Sequence, residues 1–195
     1  MRFVALKLAD ARLIELERHA DERGYLARVF CEDEFAEAGL TTRFVQASTV
    51  HTDRAGTLRG LHYQLPPHAE VKLVRCTAGA AHVVIVDLRP DSPSYLQWLG
   101  MALTPTSGRM LYVPEGYAQG YQTLADGTEM LYQMSTAYEP SAARGVRYND
   151  PAFGIRWPPA RERLISDRDR AWPDYQPIAA AQPLTGVVVA TPAID

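Results

Sequence analysis

Residues 71–88, VKLVRCTAGAAHVVIVDL, hold two apolar runs rich in β-branched residues, parted by a small turn cluster that contains glycine. They read as two strands. The same texture continues outward in both directions. Upstream lie YLARVF (25–30), RFVQASTV (43–50) and TLRGLHYQ (57–64); downstream lie YLQWLGMAL (95–103), RMLYVP (109–114), AQGYQTL (118–124) and TEMLYQMST (128–136). Between them stand DRAG, RPDSPS, PTSG, PEG and ADG, which supply the positive and fixed φ angles that turns require. Strands at this spacing, with no helical period between them, predict an all-β chain built as a double-sheet jelly roll with a few short helices. A doubly wound α/β sheet is excluded. One helix is expected in CEDEFAEAGL (31–40), where acidic residues fill the first turn and Gly39 ends it, and a second after Ser166 in ISDRDRAW (165–172).

The 195 residues are enough to bury one core without disulfide or metal staples. Apolar residues at 47% and charged residues at 22% exclude a disordered, collagenous or disulfide-rich class. Lys and Arg number 20 against 23 Asp and Glu, a net charge of -3, so no global field recruits nucleic acid or an anionic membrane; a local basic pocket fits the same composition. No window approaches about 18 consecutive apolar residues, and MRFVALKLADARLIELERHA (1–20) alternates polar and apolar instead of carrying a secretory core and cleavage site. The chain therefore reads as cytoplasmic. Cys31 and Cys76 lie far apart, each in an apolar run, and are expected as inert core thiols.

The segment richest in chemistry is GTLRGLHYQLPPHAEVKLVRC (56–76), which puts Arg59, His62 and Lys72 on two strand-like runs. A histidine able to move a proton could thus share a wall with two fixed positive charges. Arg59 and His62 are three positions apart, which sets them on opposite faces of a regular strand; Gly60 stands where a bulge would change this. The same residues also fit a core histidine beside two solvated cations. Tyr132 lies mid-strand, where its hydroxyl is either packed against a partner or free to give a proton to a carbanion in a barrel mouth. Pro114, Glu115 and Gly116 form a tight corner. Ser166 and Asp169 have the spacing of a helix cap, and the carboxylate could instead accept a hydrogen bond from a histidine ring and fix its tautomer.

Taken in order, DERG (21–24), FVQ (44–46), LRGLHYQ (58–64), KLVR (72–75), VDLRPDSP (86–93), PEGYAQGY (114–121), RGVRYNDP (144–151) and ISDRDR (165–170) resemble the motifs of the dTDP-4-dehydrorhamnose 3,5-epimerase family, nucleotide-sugar epimerases of the cupin superfamily. The likeness covers nearly the whole chain except its tail. It implies a single cupin-like domain over residues 1–195, with a dimerising N-terminal arm at about residues 1–24; the Pro- and Ala-rich tail at about residues 173–195 reads from its composition as an irregular or strand-like extension. It also implies an epimerase that inverts C3, C5 or both in a nucleotide-linked, dTDP-type 4-keto-6-deoxyhexose, in deoxysugar biosynthesis of the rhamnose kind.

On this resemblance His62 is the general base, Asp169 the carboxylate that orients it, Tyr132 the acid that reprotonates from the far side, and Lys72 the cation at the enolate oxygen. Arg59, Arg23, Gln46 and Arg168 align with residues that hold the diphosphate, and Tyr138 with one of the base pocket. Gln119, in the motif PEGYAQGY, is expected among the substrate-binding residues. Arg23 would reach into the partner's site across a homodimer. Such chemistry calls for no metal and no cofactor. Three positions depart from the common pattern: Gln119 stands where members carry His, Val83 where they usually have Asp, and Ser48 where they often have Asn. Gln119 can hydrogen-bond but cannot titrate, and the carboxylate missing at Val83 leaves the tuning of the base to Asp169. Inversion at C3 alone, or a different nucleotide-linked keto sugar, fits these changes.

Two rival readings exist. A metal-dependent cupin enzyme would draw ligands from His62, His68 and Glu70, whose spacing lacks the usual strand-borne His-x-His. A sugar-binding jelly roll without catalysis would keep the pocket and lose the chemistry. His19, His51 and His82 carry no motif and are expected to be structural or solvated.

Overall fold

A computed structural model describes residues 1–177 and 187–188. The strands in chain order open with β1 (Arg2–Ala5), β2 (Arg12–Glu15), β3 (Arg18–Asp21) and β4 (Gly24–Ala27). After helix α1 (Glu32–Glu37) come β5 (Gln46–Thr52), β6 (Thr57–Gln64), β7 (Lys72–Ala78) and β8 (Ala81–Asp87). Next are β9 (Trp98–Leu103), β10 (Arg109–Val113), β11 (Tyr117–Thr123), β12 (Thr128–Met134), β13 (Ala143–Gly145) and β14 (Leu164–Ile165). Helix α2 (Asp167–Arg170) and β15 (Val187–Val188) complete the set.

Two sheets face each other. One has six strands in the order β1-β2-β10-β7-β12-β5; the other has seven, β13-β6-β11-β8-β9-β15, with β14 beside β6. Neighbours that are distant in sequence, such as β10 beside β7 and β11 beside β6, are the mark of a jelly roll, as the strand texture predicts. Val74, Cys76, Leu111 and Met130 from the first sheet pack with Val83, Ile85 and Leu103 from the second to form the inter-sheet core. Strand β8 carries the continuous apolar run VVIV (83–86) because both of its faces are covered. Val83 and Ile85 point into that core, and Val84 and Val86 lie under Tyr95, Trp98 and Phe153 on the outer side.

The helices fall where the sequence places them. Phe35 anchors α1 against Phe3, Phe30 and Phe44, and Gly39 past its end adopts φ +68. Helix α2 is capped by the Ser166 hydroxyl, which accepts from the Asp169 N–H.

The structure adds detail to the sequence reading at three places. Within the expected dimerising arm, residues 2–15 also belong to the body of the fold: β1 and β2 extend the six-stranded sheet through β10, and Leu8, Ala11 and Ile14 are buried. What projects is the separate hairpin of β3 and β4, exposed along nearly its whole length. Cys76 is a buried core thiol, pushed up to about 11 by burial, whereas Cys31 is only half-buried at the start of α1. Of the extension at 173–195, residues 173–177 have no regular structure and β15 pairs with β9; the remainder lies outside the described residues.

Candidate active site

The site begins with a fault in strand pairing. Across β6 and β11, His62 faces Gln119 and Arg59 faces Tyr121, so Gly60 and Leu61 together oppose Gly120 alone. This is the bulge that Gly60 signals in the sequence. Gly60 holds φ +110, and a β-carbon there would sit 2.7 Å from the Gly120 α-carbon and 2.9 Å from the Gln119 carbonyl oxygen. The extra residue cancels the odd spacing: Arg59 and His62 point to one side, as do Gln119 and Tyr121 opposite them.

That side is a cavity of about 730 Å³ between the two sheets. All the expected site residues except Arg23 line it. His62, Arg59 and Gln119 come from the seven-stranded sheet, while Tyr132, Lys72 and Gln46 come from the six-stranded one. The histidine and the tyrosine therefore enter from opposed walls.

His62 Nε2 lies 2.6 Å from Asp169 Oδ1. Helix α2 and its Ser166 cap carry Asp169 there from the C-terminal segment, and its other oxygen accepts from the Gly60 N–H at 3.1 Å. Asp169 is 4% exposed. Burial alone would push its carboxyl up, but hydrogen bonds from His62, Gly60 and Ser166, with the charge of His62, hold it below the usual carboxylate range. An ionised Asp169 keeps the proton of the imidazole on Nε2, which leaves Nδ1 to take one.

Opposite, Lys72 is buried. Its Nζ lies 2.9 Å from Glu70 Oε1 and donates to the His62 carbonyl oxygen at 3.1 Å. Arg59 Nε donates to Thr52 Oγ1 at 3.2 Å, which fixes the guanidinium at the cavity wall. The Tyr138 N–H donates to Gln46 Oε1 at 2.8 Å, so Gln46 holds the loop that presents the half-exposed Tyr138 ring. Arg168 sits over Trp172 at 5.7 Å. Arg23 stands apart at the turn of the β3–β4 hairpin, 84% exposed and paired with Asp21.

Glu70, weighed in the sequence only as a metal ligand, also lines the cavity, and its position two before Lys72 on a strand lead-in puts both on one face. Tyr121 also lines the cavity without having been singled out, and burial raises its phenol. Two of the three ligands of the metal-dependent rival are otherwise engaged. His62 is tied to Asp169 and Glu70 to Lys72, and among the described residues no three His, Cys, Asp or Glu side chains gather as a metal centre.

The family model for dTDP-4-dehydrorhamnose 3,5-epimerase matches residues 5–176. The chain belongs to that family. It is 39% identical over 173 residues to the dTDP-4-dehydrorhamnose 3,5-epimerase of Sinorhizobium fredii, covering 89% of each chain. The crystal structure of the dTDP-4-dehydrorhamnose 3,5-epimerase of Elizabethkingia anophelis superposes with a TM-score of 0.86 at 34% identity, over 90% of this chain and 96% of that one. A 3'-monoepimerase of Streptomyces bikiniensis, solved with dTDP-quinovose, gives 0.81 at 30% identity, over 87% of this chain and 85% of that one. Relatives that invert one centre and relatives that invert two thus lie at similar distances from this epimerase-family chain. No helix among its described residues is long and apolar enough to cross a membrane.

Proposed function

We propose that the chain is an epimerase acting on a dTDP-linked 4-keto-6-deoxyhexose in deoxysugar synthesis. The observation that carries this is one cavity with a carboxylate-bound imidazole on one sheet and a phenol on the other. A proton next to a ketone is weakly acidic, so its removal needs a base near neutrality and a cation where the oxyanion forms. His62 takes the proton at C3, and the C–H electron pair moves into the enolate, whose O4 is stabilised by Lys72. Asp169 stabilises the imidazolium. Tyr132 then donates its proton to the opposite face of C3, which inverts the centre, and is reprotonated from solvent. A second round at C5 uses the same groups.

Arg59 and Arg168 hold the diphosphate, with Tyr138 against the base and Gln46 behind it. Arg23 completes the phosphate site from a second copy of the chain. Its hairpin carries it away from its own cavity and exposes Tyr25 and Leu26, apolar surface suited to an interface. A water-soluble nucleotide-sugar substrate suits a reaction in the cytoplasm. No cofactor enters any step.

The test is incubation in D2O with dTDP-, GDP- and CDP-linked 4-keto-6-deoxyglucose, followed by NMR. Deuterium at C3 of the dTDP sugar is expected, and deuterium at C5 as well marks inversion of both centres. Binding of dTDP without deuterium in any sugar would refute the proposal and identify a binding module.

A further inference from the structure

We infer that Glu70 is a positioning residue for this reaction and acts through Lys72; the inference rests on the role proposed above for Lys72. The Lys72 ammonium is held at two points: it forms an ion pair with Glu70 Oε1 at 2.9 Å and donates to the His62 carbonyl oxygen at 3.1 Å. Its remaining N–H capacity is open to a substrate oxygen. Without Glu70 the flexible lysine stem would be held by a single neutral carbonyl, and the ammonium would have no fixed position.

Burial makes the pairing consequential. The side chains of Lys72 and Glu70 are 10% and 4% exposed, so a charge on either one alone would be costly. Glu70 has little other occupation: its Oε2 is buried and makes no hydrogen bond among the described residues. An unpaired buried carboxylate oxygen lowers stability, so a folding role alone gives no reason for placing a carboxylate there. The arrangement also reaches the base. Lys72 is anchored on the carbonyl of the same residue whose ring meets Asp169, so Glu70, Lys72 and His62 form one connected unit. Glu70 thereby sets where the enolate cation stands relative to the base.

The test is a double-mutant cycle read by deuterium uptake at C3, with kcat and KM taken separately and dTDP affinity as the measure of folding. The variants are Glu70→Gln, Glu70→Asp, Lys72→Gln and Glu70→Gln with Lys72→Gln. Glutamine keeps an acceptor oxygen but loses the charge. We expect Glu70→Gln to lower kcat about tenfold to a hundredfold with KM and dTDP affinity within about twofold, and Glu70→Asp to recover part of the loss. In the Lys72→Gln background Glu70→Gln should change kcat less than about twofold. Wild-type kcat in Glu70→Gln would overturn the inference, as would an equal loss with and without Lys72. Undiminished uptake by Lys72→Gln in the face of an active wild type would remove the role of Lys72 and the inference with it. A wild type that takes up no deuterium would overturn the proposed function itself, and the inference falls with it.

Discussion

His62 and Asp169 meet at 2.6 Å across 107 positions of sequence, and the contact is made only because a four-residue helix returns the chain to the cavity. The carboxylate both fixes the tautomer of the ring and offsets the charge the ring gains on taking a proton. Asp169→Asn should therefore lower deuterium uptake at least about a hundredfold while dTDP affinity changes little. A decrease of less than about threefold would show that His62 does not need its partner.

The bulge at Gly60 should be intolerant of any side chain. Its φ of +110 is unfavourable for alanine, and the new β-carbon would strike the Gly120 backbone at 2.7 Å. Gly60→Ala is expected to cost about 2 kcal/mol or more in urea unfolding and to abolish turnover, because Arg59 and His62 would no longer share a face. Full activity in a stable Gly60→Ala protein would contradict that account of the site.

Exchange of the hairpin between copies makes a prediction about mixtures. Arg23→Ala and His62→Asn should each be inactive alone, since one lacks the delivered cation and the other lacks the base. Unfolded together and refolded at equal amounts, they should form hybrids with one complete site and recover about a quarter of wild-type activity. A mixture as inactive as its components would show that Arg23 serves its own chain or none.

His82 concerns stability alone. It is buried beside Trp157, neither ring nitrogen has a hydrogen-bond partner among the described residues, and burial holds it below its ordinary value of 6.5. The unfolded chain therefore binds the proton more readily than the folded one. Stability from this residue is fully present above 6.5 and is lost as pH falls below it. His82→Leu should be more stable than wild type at pH 5, by about 1 kcal/mol, and the gap should narrow at pH 8. A gap that widens with rising pH would contradict this.

The strands from β5 to β12 were legible in the sequence because alternation and turn residues are local properties. The bulge was half legible: Gly60 is a local signal, but the side to which Arg59 points depends on the register with Gly120, set by a strand far away in sequence. The body-forming role of residues 2–15 was not legible, since β1 and β2 are short and join the sheet through β10. The pairing of Glu70 with Lys72 and the place of Tyr121 in the cavity were missed for a related reason. A buried carboxylate or phenol looks like any other until its neighbours are known, and Lys72 appeared as a lone cation although its counter-ion stood two residues away. Asp169 was found through motif resemblance, and only the three-dimensional path of α2 explains how it reaches the base.

The central claim is that base and acid act from opposed walls on one ring. It is tested most directly by measuring deuterium uptake and net inversion separately in wild type, His62→Asn and Tyr132→Phe with the dTDP-linked keto sugar in D2O. His62→Asn should lose about a thousandfold or more in both, and Tyr132→Phe should retain uptake while inversion falls at least about tenfold. Uptake and inversion falling together in Tyr132→Phe, or uptake persisting in His62→Asn, would contradict the account.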